Sequence, residues 1–248
     1  MTADMVSVSH LSKSFESQRV IDDLTFTIPT GARTAVFAPS GAGKTTLIQI
    51  LAGLQIPDEG TVRVRADHPV VIFQEPRLFP YMTVEENIFL PFKLRDRLVT
   101  SETQQSFETW LSVCGLEDFK KHYPYQLSGG MKQKVSLIRG LLQNPSFIMM
   151  DEPFQSIGRE AKKVIIEHLL TAYPDLTVFL VTHDPEEVQL LAQQMFFFPT
   201  AVLGKYACVK TNDVKFQQFW FSGFDLPGVE PGSTSAVMLE KNLLNENS

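Results

Sequence analysis

Cysteine is scarce in this 248-residue chain, and the two present, Cys114 and Cys208, lie far apart with no metal-ligand spacing around them. That fits two inert thiols in a reducing compartment better than a disulfide scaffold. Long apolar runs are also missing. None approaches the roughly 20 residues that span a bilayer. The start, MTADMVSVSH, has no basic flank followed by an apolar stretch, so no secretory signal is expected. If the protein works at a membrane, another chain must provide the spanning helices. Positive charge is in deficit, since 22 Lys and Arg against 28 Asp and Glu leave a net charge of −6. Broad attraction to nucleic acid or anionic lipid is therefore disfavoured. No internal repeat or low-complexity tract is present. A hydrophobic content of 44% with 20% charged residues excludes a disordered, collagen-like or coiled-coil chain. The length fits one generous domain or a core carrying a subdomain.

What is there alternates between strand and helix patterns. Met5 to His10 and Asp22 to Ile28 read as strands of an antiparallel edge, the second alternating Leu24, Phe26 and Ile28 with polar neighbours. The apolar run Arg33 to Ala38 passes through a glycine loop into a helical pattern, Lys44 to Leu54. Further strands are expected at Thr61 to Arg65, Val70 to Phe73, Phe147 to Met150 and Thr177 to Val181. Helical periodicity fills Val84 to Leu94, Ser101 to Val113 and Met131 to Leu142, a block closed by Pro145. The fold class is thus α/β, a mainly parallel sheet with an antiparallel β edge and an inserted helical subdomain. Residues 1–82 and 145–200 form the expected core, 83–144 the helical insertion, and 201–248 a divergent segment. From Met195 to Phe224, nine aromatics fall in 30 residues, of 19 Phe, 5 Tyr and 2 Trp in the chain, so burial is required there. Glycines and prolines between Ser222 and Thr234 suggest a linker before an amphipathic piece, Ala236 to Leu244.

The strongest local pattern is Ala38-Pro39-Ser40-Gly41-Ala42-Gly43-Lys44-Thr45-Thr46, set between an apolar strand and an amphipathic helix. That context is the one a phosphate-binding loop needs. Gly41 and Gly43 permit close backbone approach, and the loop amides with the helix dipole surround a β-phosphate. Lys44 supplies a mobile cation for β- and γ-phosphates, and the Thr45 hydroxyl is placed for Mg²⁺. The pattern GxxxxGK[ST] begins with glycine, whereas this loop begins with Ala38. Ordinary torsions there leave the loop intact; a positive φ would cost about 1 kcal/mol or more.

Phe147 to Met150 is a fully apolar strand ending in Asp151 and Glu152, so a buried parallel strand delivers both carboxylates at its carboxyl end. Asp151 is the candidate to hold Mg²⁺ through its water shell, and Glu152 to polarise a water attacking the γ-phosphorus. The next apolar strand ends in Thr182-His183-Asp184, which brings an imidazole to the same sheet edge, where it can hydrogen-bond a γ-phosphate.

Taken in order from Phe15 to His183, these motifs resemble the ATP-binding subunits of ABC transporters. Leu127-Ser128-Gly129-Gly130-Met131 is similar to that family's signature, in which Ser128, Gly129 and Gly130 open a helix towards a second anion. The resemblance implies a P-loop NTPase core that binds ATP with Mg²⁺. It implies a head-to-tail homodimer, each ATP lying between one subunit's phosphate loop and its partner's signature, and parting after hydrolysis. Gln74 resembles the lid glutamine that contacts Mg²⁺ or water, and Phe15 the aromatic that stacks on adenine. The segment from Phe73 to Ile88 looks like the nitrate, sulfonate and taurine importer branch. The resemblance further implies an integral membrane permease docking near Gln74 to Leu94, a solute-binding protein, no nucleic acid, and a peripheral place on the cytoplasmic face of the membrane.

Three departures stand out: Met131 where glutamine is usual, Lys134 where arginine is common, and Gly158 where the family has an aspartate that crosses the dimer. The main expectation is ATP hydrolysis driving solute import. A nonhydrolytic or weakly active nucleotide-binding regulatory module is the alternative that the altered signature and Gly158 suggest.

Overall fold

A computed structural model describes residues 3–212. The linker at 222–234 and the amphipathic piece at 236–244 lie outside the described residues. Nine strands and six α-helices are formed within them, and the chain divides into two compact units.

The first unit comprises the described residues up to 65 together with those from 177 to 212. Strands β1 (Asp4–Phe15) and β2 (Gln18–Pro29) form an antiparallel hairpin, and β1 pairs antiparallel on its other side with β4 (Glu59–Val64). In β2, Leu24, Phe26 and Ile28 are buried and their neighbours exposed, the alternation of a sheet with one wet face. The parallel part is built differently. Strand β3 (Arg33–Phe37) lies between β7 (Thr177–Val181) and β8 (Gln194–Phe197), parallel to both, and β9 (Ala207–Lys210) adds antiparallel to β8. All five residues of β7 are buried, as expected of a strand covered on both faces. Helix α1 (Lys44–Leu51) follows β3, and α6 (Pro185–Leu191) follows β7. Val188, Ala192, Ala35, Met195 and Phe197 form one buried cluster.

The described part of the aromatic stretch finds its burial here. Phe196 meets Phe26 edge-on at 5.5 Å and Tyr206 at 4.7 Å, and Phe198 is fully buried. Such packing requires β8 and β9, neither of which the sequence pattern predicts.

The second unit, Ala66–Leu176, holds the parallel pair β5 (Val70–Ile72) and β6 (Phe147–Asp151) with four helices, α2 (Val84–Leu94), α3 (Ser101–Cys114), α4 (Gly129–Leu141) and α5 (Arg159–Ala172). Thr83 and Glu86 close a capping box at the start of α2, and the helix runs on through Pro91 to Leu94. Helix α3 starts at a Thr100 cap and stops at Gly115, whose φ of 63° is the left-handed conformation that ends helices. Cys114 is buried and burial pushes its thiol up to about 12, which makes it inert; both cysteines are free. Among the described residues, no helix is long and apolar enough to cross a membrane.

Candidate functional site

In the first unit the sheet edge collects several of the expected residues. Val36 of β3 pairs with Val181 of β7, so the phosphate loop and the turn bearing His183 leave adjacent parallel strands at the same carboxyl end. Ala38 does not have a positive φ, so the missing first glycine imposes no torsional strain, and its methyl is buried. Gly41 and Gly43 have φ of 77° and 90°. A Cβ at Gly43 would lie 3.0 Å from the Val20 carbonyl oxygen, so glycine lets the loop sit directly against β2. Ser40, Gly41 and Thr45 are exposed, Ala42 is buried, and Thr46 is half-buried. Lys44 Nζ donates to the carbonyl oxygens of Ala38 and Pro39 at 2.8 and 2.9 Å, folding the side chain back over its own loop.

His183 is exposed on a braced turn. The buried Thr182 hydroxyl donates to Glu187 Oε2 at 2.6 Å and accepts from the Asp184 amide at 3.1 Å. Asp184 caps α6 by accepting from the Glu186 amide at 2.9 Å. Thr182, Asp184 and Glu187 therefore hold the His183 turn, a set the sequence reading missed. The Thr-His-Asp-Pro order, an N-cap followed by proline, was the available signal.

Phe15 ends β1 opposite Gln18, two residues from the Val20 that abuts Gly43. Phe15 is 43% exposed, so part of its surface is open to a ligand.

In the second unit, Ile72 of β5 pairs with Met150 of β6, so Gln74 and Glu152 each lie two residues beyond a paired position at one strand end. Asp151 is 5% exposed at the end of β6. Glu152 has a φ of 47°, left-handed for a residue with a side chain, a conformation that costs of order 1 kcal/mol and clusters at functional sites. Gln74 Nε2 donates to Gln155 Oε1 at 3.0 Å, and Gln155 was not foreseen.

The signature helix starts two residues earlier than its apolar periodicity indicates, at Gly129, because glycines add no periodic side chain while Ser128 caps it. Ser128 Oγ accepts from the Met131 amide at 3.3 Å. Gly130 lies against the chain after Glu152, where an added Cβ would meet the Ser156 carbonyl oxygen at 2.4 Å. Lys134 donates to the Cys114 carbonyl at 2.7 Å, a C-terminal helix carbonyl that suits a cation. Gly158, at the start of α5, has a φ of −63° and open space where a Cβ would be, so neither torsion nor packing demands glycine there.

Before α2, a loop is stapled by one buried side chain. Asn87 Oδ1 accepts from the Phe79 amide at 2.8 Å, and its Nδ2 donates to the carbonyls of Phe79, Met82 and Thr83. Phe79 and Tyr81 project from that held loop, 49% and 92% exposed.

The family model described as "ABC transporter" matches residues 21–155. The chain is 35% identical over 203 residues to the aliphatic sulfonates import ATP-binding protein SsuB of Bacillus thuringiensis subsp. konkukian, covering 77% of this chain and 79% of that protein. It is 32% identical over 207 residues to the nitrate import ATP-binding protein NrtD of Synechocystis sp., covering 77% and 76%. A solved structure, described as the dimeric structure of MJ0796, a bacterial ABC transporter cassette, superposes with a TM-score of 0.74 at 25% identity, over 84% of this chain and 100% of that one. With a mostly parallel sheet, an antiparallel edge sheet and these motifs in order, the chain belongs to the ABC transporter family, as one of its ATP-binding ATPases.

Proposed function

We propose that this chain hydrolyses ATP to drive import of a small solute through a separate membrane permease, with two copies closing around ATP and parting after hydrolysis. The observation that carries the reading is the presence, in one chain, of two glycine-rich helix starts suited to anions, at Lys44 and at Gly129. One nucleotide engages the first on one subunit and the second on its partner. Ser40, Gly41, Ala42, Gly43, Lys44, Thr45 and Thr46 hold the phosphates, and Ser128, Gly129 and Gly130 of the other copy bind the γ-phosphate. Phe15 stacks on the base. Glu152 takes the proton from the attacking water, His183 hydrogen-bonds the γ-phosphate, and Gln74 reports on the same oxygens.

Among the described residues, no group of three or more His, Cys, Asp or Glu could hold a metal by itself. A hydroxyl from Thr45, one carboxylate from Asp151 and the amide oxygen of Gln74 instead suit Mg²⁺, which retains waters and completes its shell with nucleotide phosphates. When bound, Mg²⁺ would supply charge neutralisation for the nucleotide phosphates.

The permease docks at the Phe79–Tyr81 loop and α2, where the Asn87 staple presents exposed aromatic surface to a partner. Residues 83–144 act as the helical subdomain that carries the signature, and a solute-binding protein delivers cargo from the far side. The chain then sits peripherally at the cytoplasmic face. The names of the sulfonate and nitrate relatives support import. Gly158 favours a second reading, slow or absent turnover with nucleotide binding retained.

Steady-state hydrolysis of Mg·ATP by the wild type and by Glu152→Gln separates the two. The proposal expects kcat to fall by roughly 10²–10⁴ in the variant while ATP still binds and draws subunits together on gel filtration. A variant with wild-type turnover removes Glu152 from the chemistry. A wild type that binds ATP without turnover, even with its permease, leaves the regulatory reading.

A further inference from the structure

Over the ring of Phe15 lies the ammonium of a charge pair that no motif contains. Lys13 Nζ lies 5.4 Å from the centroid of the Phe15 ring, and Lys13 is only 9% exposed although it carries a charge. It donates to Asp58 Oδ1 at 2.6 Å. Asp58 Oδ2 accepts from the Ser14 amide at 2.7 Å, and the Asp58 amide donates to the Ser12 carbonyl at 3.0 Å. One residue thus grips positions 12, 13 and 14 in succession. It does so where the pairing is irregular: the β1–β2 register shifts between Lys13 and Ser14 before continuing to Phe15 opposite Gln18, and β1–β4 pairing reaches only to Ser12 opposite Glu59. The hydrogen bond from Lys13, and next the one from Ser14, hold the Asp58 carboxyl below the usual carboxylate range.

We infer that Lys13 and Asp58 are positioning residues for base recognition, fixing the Phe15 ring in a stacking attitude before nucleotide arrives. This rests on the reading of Phe15 as the base platform. A ring that is free to turn loses freedom when a base stacks on it, which weakens binding, whereas a ring already faced by a fixed ammonium has less to lose. Asp58 supplies the rigidity, since it binds the ammonium and the main chain with separate oxygens. The ligand chemistry is a planar aromatic heterocycle joined to a triphosphate. The pair contributes to the base-dependent part of affinity and not to the phosphate part.

The test measures binding of Mg·ATP and of inorganic triphosphate with Mg²⁺ to the purified full chain. The ratio of the two affinities isolates the nucleoside's share. Phe15→Ala is expected to lower that ratio roughly fivefold or more. Lys13→Met, which keeps the stem, and Asp58→Asn, which keeps an acceptor for the Ser14 amide, should each lower it about two- to fivefold with triphosphate affinity unchanged. Lys13→Met should change nothing further in a Phe15→Ala background. Equal loss of ATP and triphosphate affinity in Lys13→Met or Asp58→Asn overturns the inference, because a general structural defect would do that. An unchanged ratio in both variants while Phe15→Ala lowers it overturns the inference alone and leaves Phe15 as the platform. An unchanged ratio in Phe15→Ala removes the platform itself, and the inference with it.

Discussion

Two glycine-rich turns open two helices in this protein, and they use glycine for different reasons. Before α1, Gly41 and Gly43 have positive φ, α1 has no side-chain cap, and the turn closes through Lys44 bonded to Ala38 and Pro39. Before α4, Ser128 has extended torsions and caps the helix through the Met131 amide, while Gly130 is needed for space under Ser156. The first turn is a backbone shape held by a cation, the one proposed to bind phosphate. The second is a self-capped helix end pressed against the segment that follows Asp151 and Glu152. Torsion governs one and clearance the other.

The largest effect that would sharpen this contrast is expected for Lys44→Ala. Removing the only cation in the loop should lower turnover of Mg·ATP by roughly 10²–10³, a loss comparable to deleting a preorganised charge donor. Near-normal turnover would mean that loop shape alone suffices, and the comparison would collapse. Next comes Gly130→Ala, expected to destabilise by about 1–3 kcal/mol through overpacking against Ser156, read as a lowered denaturant midpoint. Gly41→Ala has open space, so only its positive φ is penalised, by about 1 kcal/mol. A harmless Gly130→Ala would show that clearance does not govern the second turn. The smallest change belongs to Ser128→Ala. Loss of the cap should lower stability by about 1 kcal/mol or somewhat less, with ATP-driven self-association weakened as well. Association that persists at full strength would reduce Ser128 to a cap.

Much of this arrangement was legible in the residue order because the relevant signals are local. Val84–Leu94 and Thr177–Val181 have the bounds their periodicity indicates, since an amphipathic helix and an apolar strand announce themselves within one stretch. Strand β1 runs on to Phe15 well past the expected end at His10, because its last residues pair by backbone hydrogen bonds and show no clean alternation. Helix α6 was not anticipated, its seven residues being too short for a periodic pattern. Nor were β8 and β9, which are set by their neighbours: β8 pairs with β3 across some 160 positions, and Phe196 reads as a core residue only once Phe26 is beside it. Within the candidate site, the residues carried by motifs were named in advance, while those that hold them in place were not. Gln155, Lys13 and Asp58 act through hydrogen bonds to residues distant in sequence, and Asn87 and Glu187 through local turns with little pattern of their own.

By itself the amino-acid order determined the class of chemistry, because a phosphate loop, a strand-end carboxylate pair and a signature are each written within a few consecutive positions. Only the folded chain decided whether Ala38 is strained, why Gly130 must be glycine while Gly158 need not be, and which side chains steady Phe15 and His183. Those answers depend on φ angles and on approaches of a few ångströms between segments far apart in sequence, and such distances exist only after the chain has packed.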